Sequence, residues 1–304
     1  MRRAQHGAAL LMAMLVAALV AAVAVALAAD QQRWLADVAH RRDQVQAQSL
    51  ALAGIQWARQ ILREDARAGS LDHLAEPWSL SLPATPIANG TIEGHIEDAQ
   101  GRLDLNALAR DDPAANIARE RLARLFASKG LSPALLDAIA DWIDADAIPR
   151  ASGAEDAAYA SAPSASLAAN APLVRPAEIS AVRGVDGSAY AAVAHFVTAL
   201  PAIATLNVNT AAPDVLAAAL PALGGDAMAA VLADRARAPY TSVANFRSRL
   251  PTGVALADET GLGVSSNYFI VTVTSRQGDA IAQARALLKR EARDAPAVFW
   301  QTLE

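Results

Sequence analysis

Between Asp137 and Asp156 the chain concentrates carboxylates in a pattern with chemical potential. Asp137, Asp141 and Asp144 stand at i, i+4 and i+7, on a segment that Ser132-Pro133 would cap and begin as a helix. Three like charges on one helix face repel one another. Asp146 follows in a loop, and Glu155 and Asp156 return after Pro149 and Gly153, so hard oxygen donors approach from two sides. A cation would relieve that repulsion. The spacing is not an EF-hand loop, because Asp144-Ala145-Asp146-Ala147 lacks the central glycine and the later glutamate. From the residues alone, a solvated acidic face competes evenly with a metal site.

Other chemistry finds little footing. Absence of cysteine removes disulfides, thiolate nucleophiles and cysteine-ligated metals. His6, His40, His73, His95 and His195 are scattered and form no H-E-x-x-H pair, and no G-x-S-x-G elbow occurs. Gly261-Leu262-Gly263 reads as a turn ahead of a strand rather than a phosphate cradle. The aspartates lack a nucleophilic or basic companion, so no catalytic constellation is expected. The tryptophans Trp34, Trp57 and Trp142 read as core. With 304 residues the chain can bury a substantial core, and its net charge of −5 supplies no global basic field for nucleic acid.

The elements that must position these groups start at the N-terminus. Arg2 and Arg3 precede a stretch from Gly7 to Ala29 without a charged side chain, which matches the roughly 20 residues a membrane-spanning helix needs. A signal peptide ending in the alanines 26–29 is the competing reading. Beyond Ala29, however, Trp34, Val38, Val45, Leu52, Ile55 and Leu62 continue at helical spacing, so span and stripe read as one rod. Gly54 is the only helix-weakening residue between Ala8 and Arg67. Arginines lie on both sides of the span and leave its orientation open.

After the rod, Trp78, Leu80 and Leu82 suggest a short strand that Pro83 and Pro86 stop. Asn89-Gly90 signals a turn into the alternating Ile92, Gly94 and Ile96, with Leu103 and Leu105 beyond. From about Leu108 the texture becomes alanine-rich and helical, with Ile117, Leu122, Leu125, Phe126, Leu135, Leu136, Ile139 and Trp142 at helical periods. Strand signals return near Val264, in Tyr268, Ile270, Val271 and Val273, followed by the turn Gln277-Gly278-Asp279 and a last strand within Val298–Leu303. The order of elements implies an α+β fold: a long N-terminal helix on a small antiparallel sheet, with an all-α domain inserted between its strands.

Leu206 to Leu250 is similar to helix-hairpin-helix modules, which present backbone N–H groups to a phosphate. Here Gly224-Gly225 is followed by Asp226, and no lysine lies between Lys129 and Lys289, so a compact helical platform is expected rather than a nucleic-acid site.

A short basic leader ending at Gly7 and an apolar helix starting at Ala8 resemble a type IV prepilin leader, cleaved between those two residues by prepilin peptidase. The usual Phe is Ala8, and the usual Glu at the fifth mature position is Met12. Lack of that glutamate is itself a trait of the K-type minor pseudopilins of type II secretion. The run from Glu97 to Asn106, Asp141-Trp142-Ile143-Asp144 and the stretch from Gly153 to Tyr159 also resemble K-type signatures, and the likeness covers nearly the whole chain. It implies a leader over 1–7, a transmembrane helix over 8–29, a periplasmic continuation over 30–68, a pseudopilin head formed by 69–107 and 262–304, and an inserted all-α, SAM-like domain over 108–261 with its helix-hairpin-helix-like part at 205–261, used for packing. It further implies that 280–290, helix-like in composition, pairs into the sheet. Calcium is the implied metal, held by Asp144, Asp146, Glu155 and Asp156, with Asp141 a further candidate. The implied role is a non-enzymatic, single-pass inner-membrane subunit with most of its chain in the periplasm. It would sit at the pseudopilus tip, starting or capping assembly for protein export, with partners among the I, J, H and major G pseudopilins, prepilin peptidase and the assembly platform. A membrane-anchored DNA-uptake protein is the alternative from another class, and a calcium-dependent periplasmic hydrolase a third.

Overall fold

The computed structural model describes residues 5–161, 166–254, 256, 261–291 and 294–304, with side chains from Ala8 onward in the first helix. Residues 1–4 of the expected leader lie outside that set. One unbroken helix, α1 (Gln5–Ala68), leads into the strands β1 (Leu82–Ile87), β2 (Gly90–Asp98) and β3 (Leu103–Asp104). Helices α2 (Pro113–Ser128), α3 (Leu135–Ile143), α4 (Asp156–Ala160) and α5 (Gly187–Val193) follow, then the two-residue strands β4 (Val197–Thr198) and β5 (Leu206–Asn207). Next come α6 (Pro213–Ala219), α7 (Gly225–Arg237), α8 (Val243–Ser248), β6 (Leu262–Gly263), β7 (Tyr268–Gln277), β8 (Ala280–Lys289) and β9 (Ala297–Leu303). The main sheet has five antiparallel strands in the order β1-β2-β7-β8-β9, so the helical block is spliced between neighbours β2 and β7.

At a rise of about 1.5 Å per residue, α1 extends roughly 95 Å, far beyond the head it packs on. Its buried face is Ala47, Ala51, Ile55, Ala58 and Leu62, each at most 4% exposed. The expected stripe is therefore right only at its C-terminal end: Trp34 and Val38 lie before the stretch that packs on the sheet, and Val45 lies on the face turned away from it, so all three are exposed. Trp34 and Trp57 are likewise not core, while Trp142 is buried.

The sheet answers the small residues of α1 with small residues of its own. Ala280, Ala282, Ala284 and Ala286 alternate on the helix-facing side of β8, which explains a strand with helix-like composition. Close approach peaks at Gly54, where a Cβ would fall 2.6 Å from Val273 Cγ1. Pro83 and Pro86 do not stop β1 but lie within it, as the strand is at the sheet edge. Residues 77–79, expected in that strand, form a 3-10 turn that buries Trp78 against Phe269.

A second core fills the helical block, around Leu105, Leu122, Phe126, Ile139, Val193, Leu216, Tyr240 and Phe246. Leu103, expected in the head sheet, pairs instead with Val197, and Leu103 and Leu105 pack into this second core. A buried polar hub joins the two cores. Asp98 Oδ2 accepts hydrogen bonds from Asn207 Nδ2 at 3.0 Å, Ser266 Oγ at 2.6 Å and Thr210 Oγ1 at 2.5 Å. Arg290 bridges Asp65 and Asp72, and Asp72 Oδ2 also accepts from Ser266 N at 2.7 Å. The hub thus ties α1, β2, the helical block and the end of β8. Burial pushes the carboxyls of Asp65 and Asp98 up to about 6, the second despite four donors.

Candidate metal centre

Helix α3 buries its apolar side through Leu136, Ile139 and Ile143 and carries Asp137 and Asp141. Its first turn differs from the expectation, since the α-helix starts at Leu135 and Ser132 and Pro133 form preceding turns. Asp144 is the residue that ends the helix, in extended conformation, and it stays beside Asp141, since one Arg150 nitrogen meets both carboxylates. Asp137 turns away to Arg119, at 3.0 Å, and accepts from Ser152 N.

The 144–155 loop folds back on α3 through Asp141, which is fully buried. Its Oδ2 accepts from Arg150 N at 3.0 Å and its Oδ1 from Arg150 Nη1 at 2.6 Å. Gly153 is required at this crossing, as a Cβ there would stand 1.8 Å from Asp141 Oδ2. Arg150 Nη1 also pairs with Asp144 Oδ2. On the far side, Tyr159 of α4 stacks edge-on against Trp142 at 4.9 Å, which fixes the position of Glu155 at the start of α4.

This scaffold gathers Asp144, Asp146 and Glu155, each offering one carboxylate oxygen within 4.8 Å of the others. Asp144 and Glu155 are buried and Asp146 is exposed. Asp146 Oδ1 accepts from Ile148 N at 2.8 Å, which holds the loop. Asp144 Oδ1 and both oxygens of Glu155 are buried without a hydrogen-bond partner. Burial first, then the charges of Asp141, Asp144, Asp146 and Asp156, raises the Glu155 carboxyl above its usual range. Three orphaned hard oxygens, with Arg150 as the one cation paired to the group among the described residues, make a donor set suited to a hard divalent ion.

Asp156 does not join the expected set. Its Oδ1 accepts from Ala168 N at 2.9 Å and anchors a different loop. Asp141 is committed to Arg150, so its place is beside the cluster rather than in it. Sequence reasoning passed over Arg150 and assigned Gly153 only to a turn. Arg150 is the only basic residue between Asp141 and Asp156, and that isolation was a visible signal. In the helix-hairpin-helix-like segment two of the four arginines turn inward, while Arg237 and Arg247 are exposed. Arg235 donates to Val208 O and Ala211 O, and Arg249 pairs with Asp234 at 2.7 Å.

Gly7 and Ala8 fall within the first turns of α1, and the apolar window of that helix is uncovered by the rest of the protein. Length and composition suit it to cross a membrane.

Comparison with known proteins adds independent findings. Two family models described as type II secretion system (T2SS), protein K match residues 101–202 and 206–265. A type II secretion system protein K of Pseudomonas aeruginosa is 34% identical, over 92% of this chain and 87% of its own. That of Klebsiella pneumoniae is also 34% identical, over 96% and 95% of the two chains. A chain from the solved GspK-GspI-GspJ complex of the enterotoxigenic Escherichia coli type 2 secretion system superposes with a TM-score of 0.76 at 24% identity, covering 87% of this chain and 98% of that one. A long apolar rod on a five-stranded head, an inserted helical block and full-length relatives agree: the chain belongs to the type II secretion system protein K family.

Proposed function

We propose that this minor pseudopilin works as a membrane-anchored structural subunit at the tip of the secretion pseudopilus, where it starts or caps the filament. The carrying observation is the bare apolar half of α1, with Met12 where a filament-extending subunit would hold a carboxylate. An ionised carboxylate in hydrocarbon costs about 3 kcal/mol unless it is paired, and the ammonium of a neighbouring subunit is a natural partner. A chain with Met12 has no carboxylate to give an older neighbour, yet its own Ala8 ammonium can receive one from the next subunit. It starts a filament and is poorly suited to extend one.

That ammonium requires cleavage between Gly7 and Ala8, the step assigned to prepilin peptidase. On this reading α1 is anchored in the inner membrane and the head lies in the periplasm. The solved relative assembles with GspI and GspJ. By that likeness the I- and J-type minor pseudopilins are the first partners, ahead of the H type, the major G type and the assembly platform. The inserted block holds a structural calcium ion on Asp144, Asp146 and Glu155, and no catalytic step is assigned to it.

The test is tip labelling by electron microscopy. Wild-type heads are expected at one filament end, and Met12→Glu is expected to spread heads along filaments. Wild-type heads distributed along the shaft, or normal initiation without this chain, would refute the tip role.

A further inference from the structure

The five-stranded sheet ends in two very different edges. β1 carries Pro83 and Pro86 and a register break between Leu82 and Thr85, so it is blunted against a further strand. β9, at the opposite edge, reads Ala-Val-Phe-Trp-Gln-Thr-Leu, with no proline and no charge. Proline and charge are what folds usually supply to protect an edge, and β9 has neither.

The hydrogen-bond phase shows which groups are free. Gln283 and Glu304 exchange both backbone bonds, at 2.8 and 2.9 Å, so in the antiparallel register Thr302 opposite Arg285 also bonds inward. Leu303 and Gln301, paired with Ala284 and Ala286, therefore direct their N–H and C=O groups outward. Phe299 is 50% exposed, and Val298 and Leu303 are each 38% exposed. An extended segment is the ligand that answers a row of alternating donors and acceptors, and the lack of charge selects one that is itself uncharged along the contact.

We propose that the β9 edge receives an extended, uncharged strand from a sibling pseudopilin head, which adds a sixth strand to the sheet beside Phe299–Leu303. The inference rests on the structural role proposed above. It goes further in naming the surface and the mode of recognition.

The experiment uses the full chain in detergent micelles, alone and with its I- and J-type siblings, and follows backbone amide exchange over residues 297–304. Assembly is expected to slow exchange at Gln301 and Leu303 at least tenfold. Gln301→Pro removes an outward donor while sparing the β8–β9 ladder, and Phe299→Lys adds a charge at the contact; each is expected to weaken assembly at least tenfold. Unchanged exchange across β8 in these variants shows that the head is folded. If wild-type assembles and the 297–304 amides exchange as fast as in the free chain, or if Gln301→Pro assembles like wild type, the edge-docking proposal fails alone. Protection that appears without siblings means a second copy occupies the edge and also overturns it. If wild-type forms no complex with any sibling, the failure lies with the role proposed above.

Discussion

Glu155 and Asp104 show how single buried carboxylates set stability here. Without a cation, Glu155 keeps two unpartnered oxygens among four like charges; with one, those oxygens become ligands. Millimolar calcium should stabilise the wild type, by about 3 kcal/mol at 100 times Kd, and so raise its Tm, and a chelator should reverse the shift. Glu155→Gln should lose most of that response yet be the more stable protein in chelator, since the repulsive charge is gone. Asp156→Asn should keep the calcium response, because Asp156 serves Ala168 N. Scanning calorimetry with and without chelator checks all three. Asp104 is pushed up to about 6 by burial, although its Oδ1 accepts from Leu200 N and Asn106 N. Its folded pKa lies above the unfolded value of 3.8, so the folded state holds the extra proton and stability falls as pH rises from about 4 to about 6. Asp104→Asn keeps the accepting oxygen and removes the charge. It should flatten that fall and gain on the order of 1–3 kcal/mol at pH 7, read from urea midpoints across the pH window.

Among the elements, α1 and β8 define each other. Ala47, Ala51, Ile55 and Ala58 meet Ala282, Ala284 and Ala286, so the helix lies close to the strand and Gly54 sits against Val273. Gly54→Val should destabilise the head by more than about 2 kcal/mol through overpacking, despite better helix propensity. Val273→Ala in the same chain should restore part of that loss, and a double-mutant cycle by denaturant unfolding measures the coupling. The alanine-rich segment 280–289 was legible as a strand only through its family likeness. Propensity alone favours helix there, and packing beneath α1 decides otherwise.

At the scale of the whole molecule, the two cores are locked by the hub of Asp98, Asn207, Ser266 and Arg290. Removing one partner of a buried charge leaves the other uncompensated. Arg290→Met should therefore cost about 3–5 kcal/mol and loosen the helical block from the head, seen as faster amide exchange at Asn207 and Ser266. Processing belongs to this scale too. The N-terminus of the mature chain, read by mass spectrometry from secreting cells, should be Ala8, and a mature chain that still carries residues 1–7 would refute cleavage there.

The sequence by itself determined the long apolar rod, the order of strands and helices, and the acidic identity of the 137–156 segment, because periodicity and charge are local properties. Tertiary structure alone decided which carboxylates meet. Asp144 stays beside Asp141 at Arg150, Asp137 goes to Arg119, Asp156 goes to Ala168, and Glu155 remains unpartnered beside Asp144 and Asp146. It also decided that α1 buries an alanine face from Ala47 onward rather than the larger stripe beginning at Trp34. Local spacing names the faces a segment can offer; which face is buried depends on where a distant surface lies, and no run of neighbouring residues carries that information.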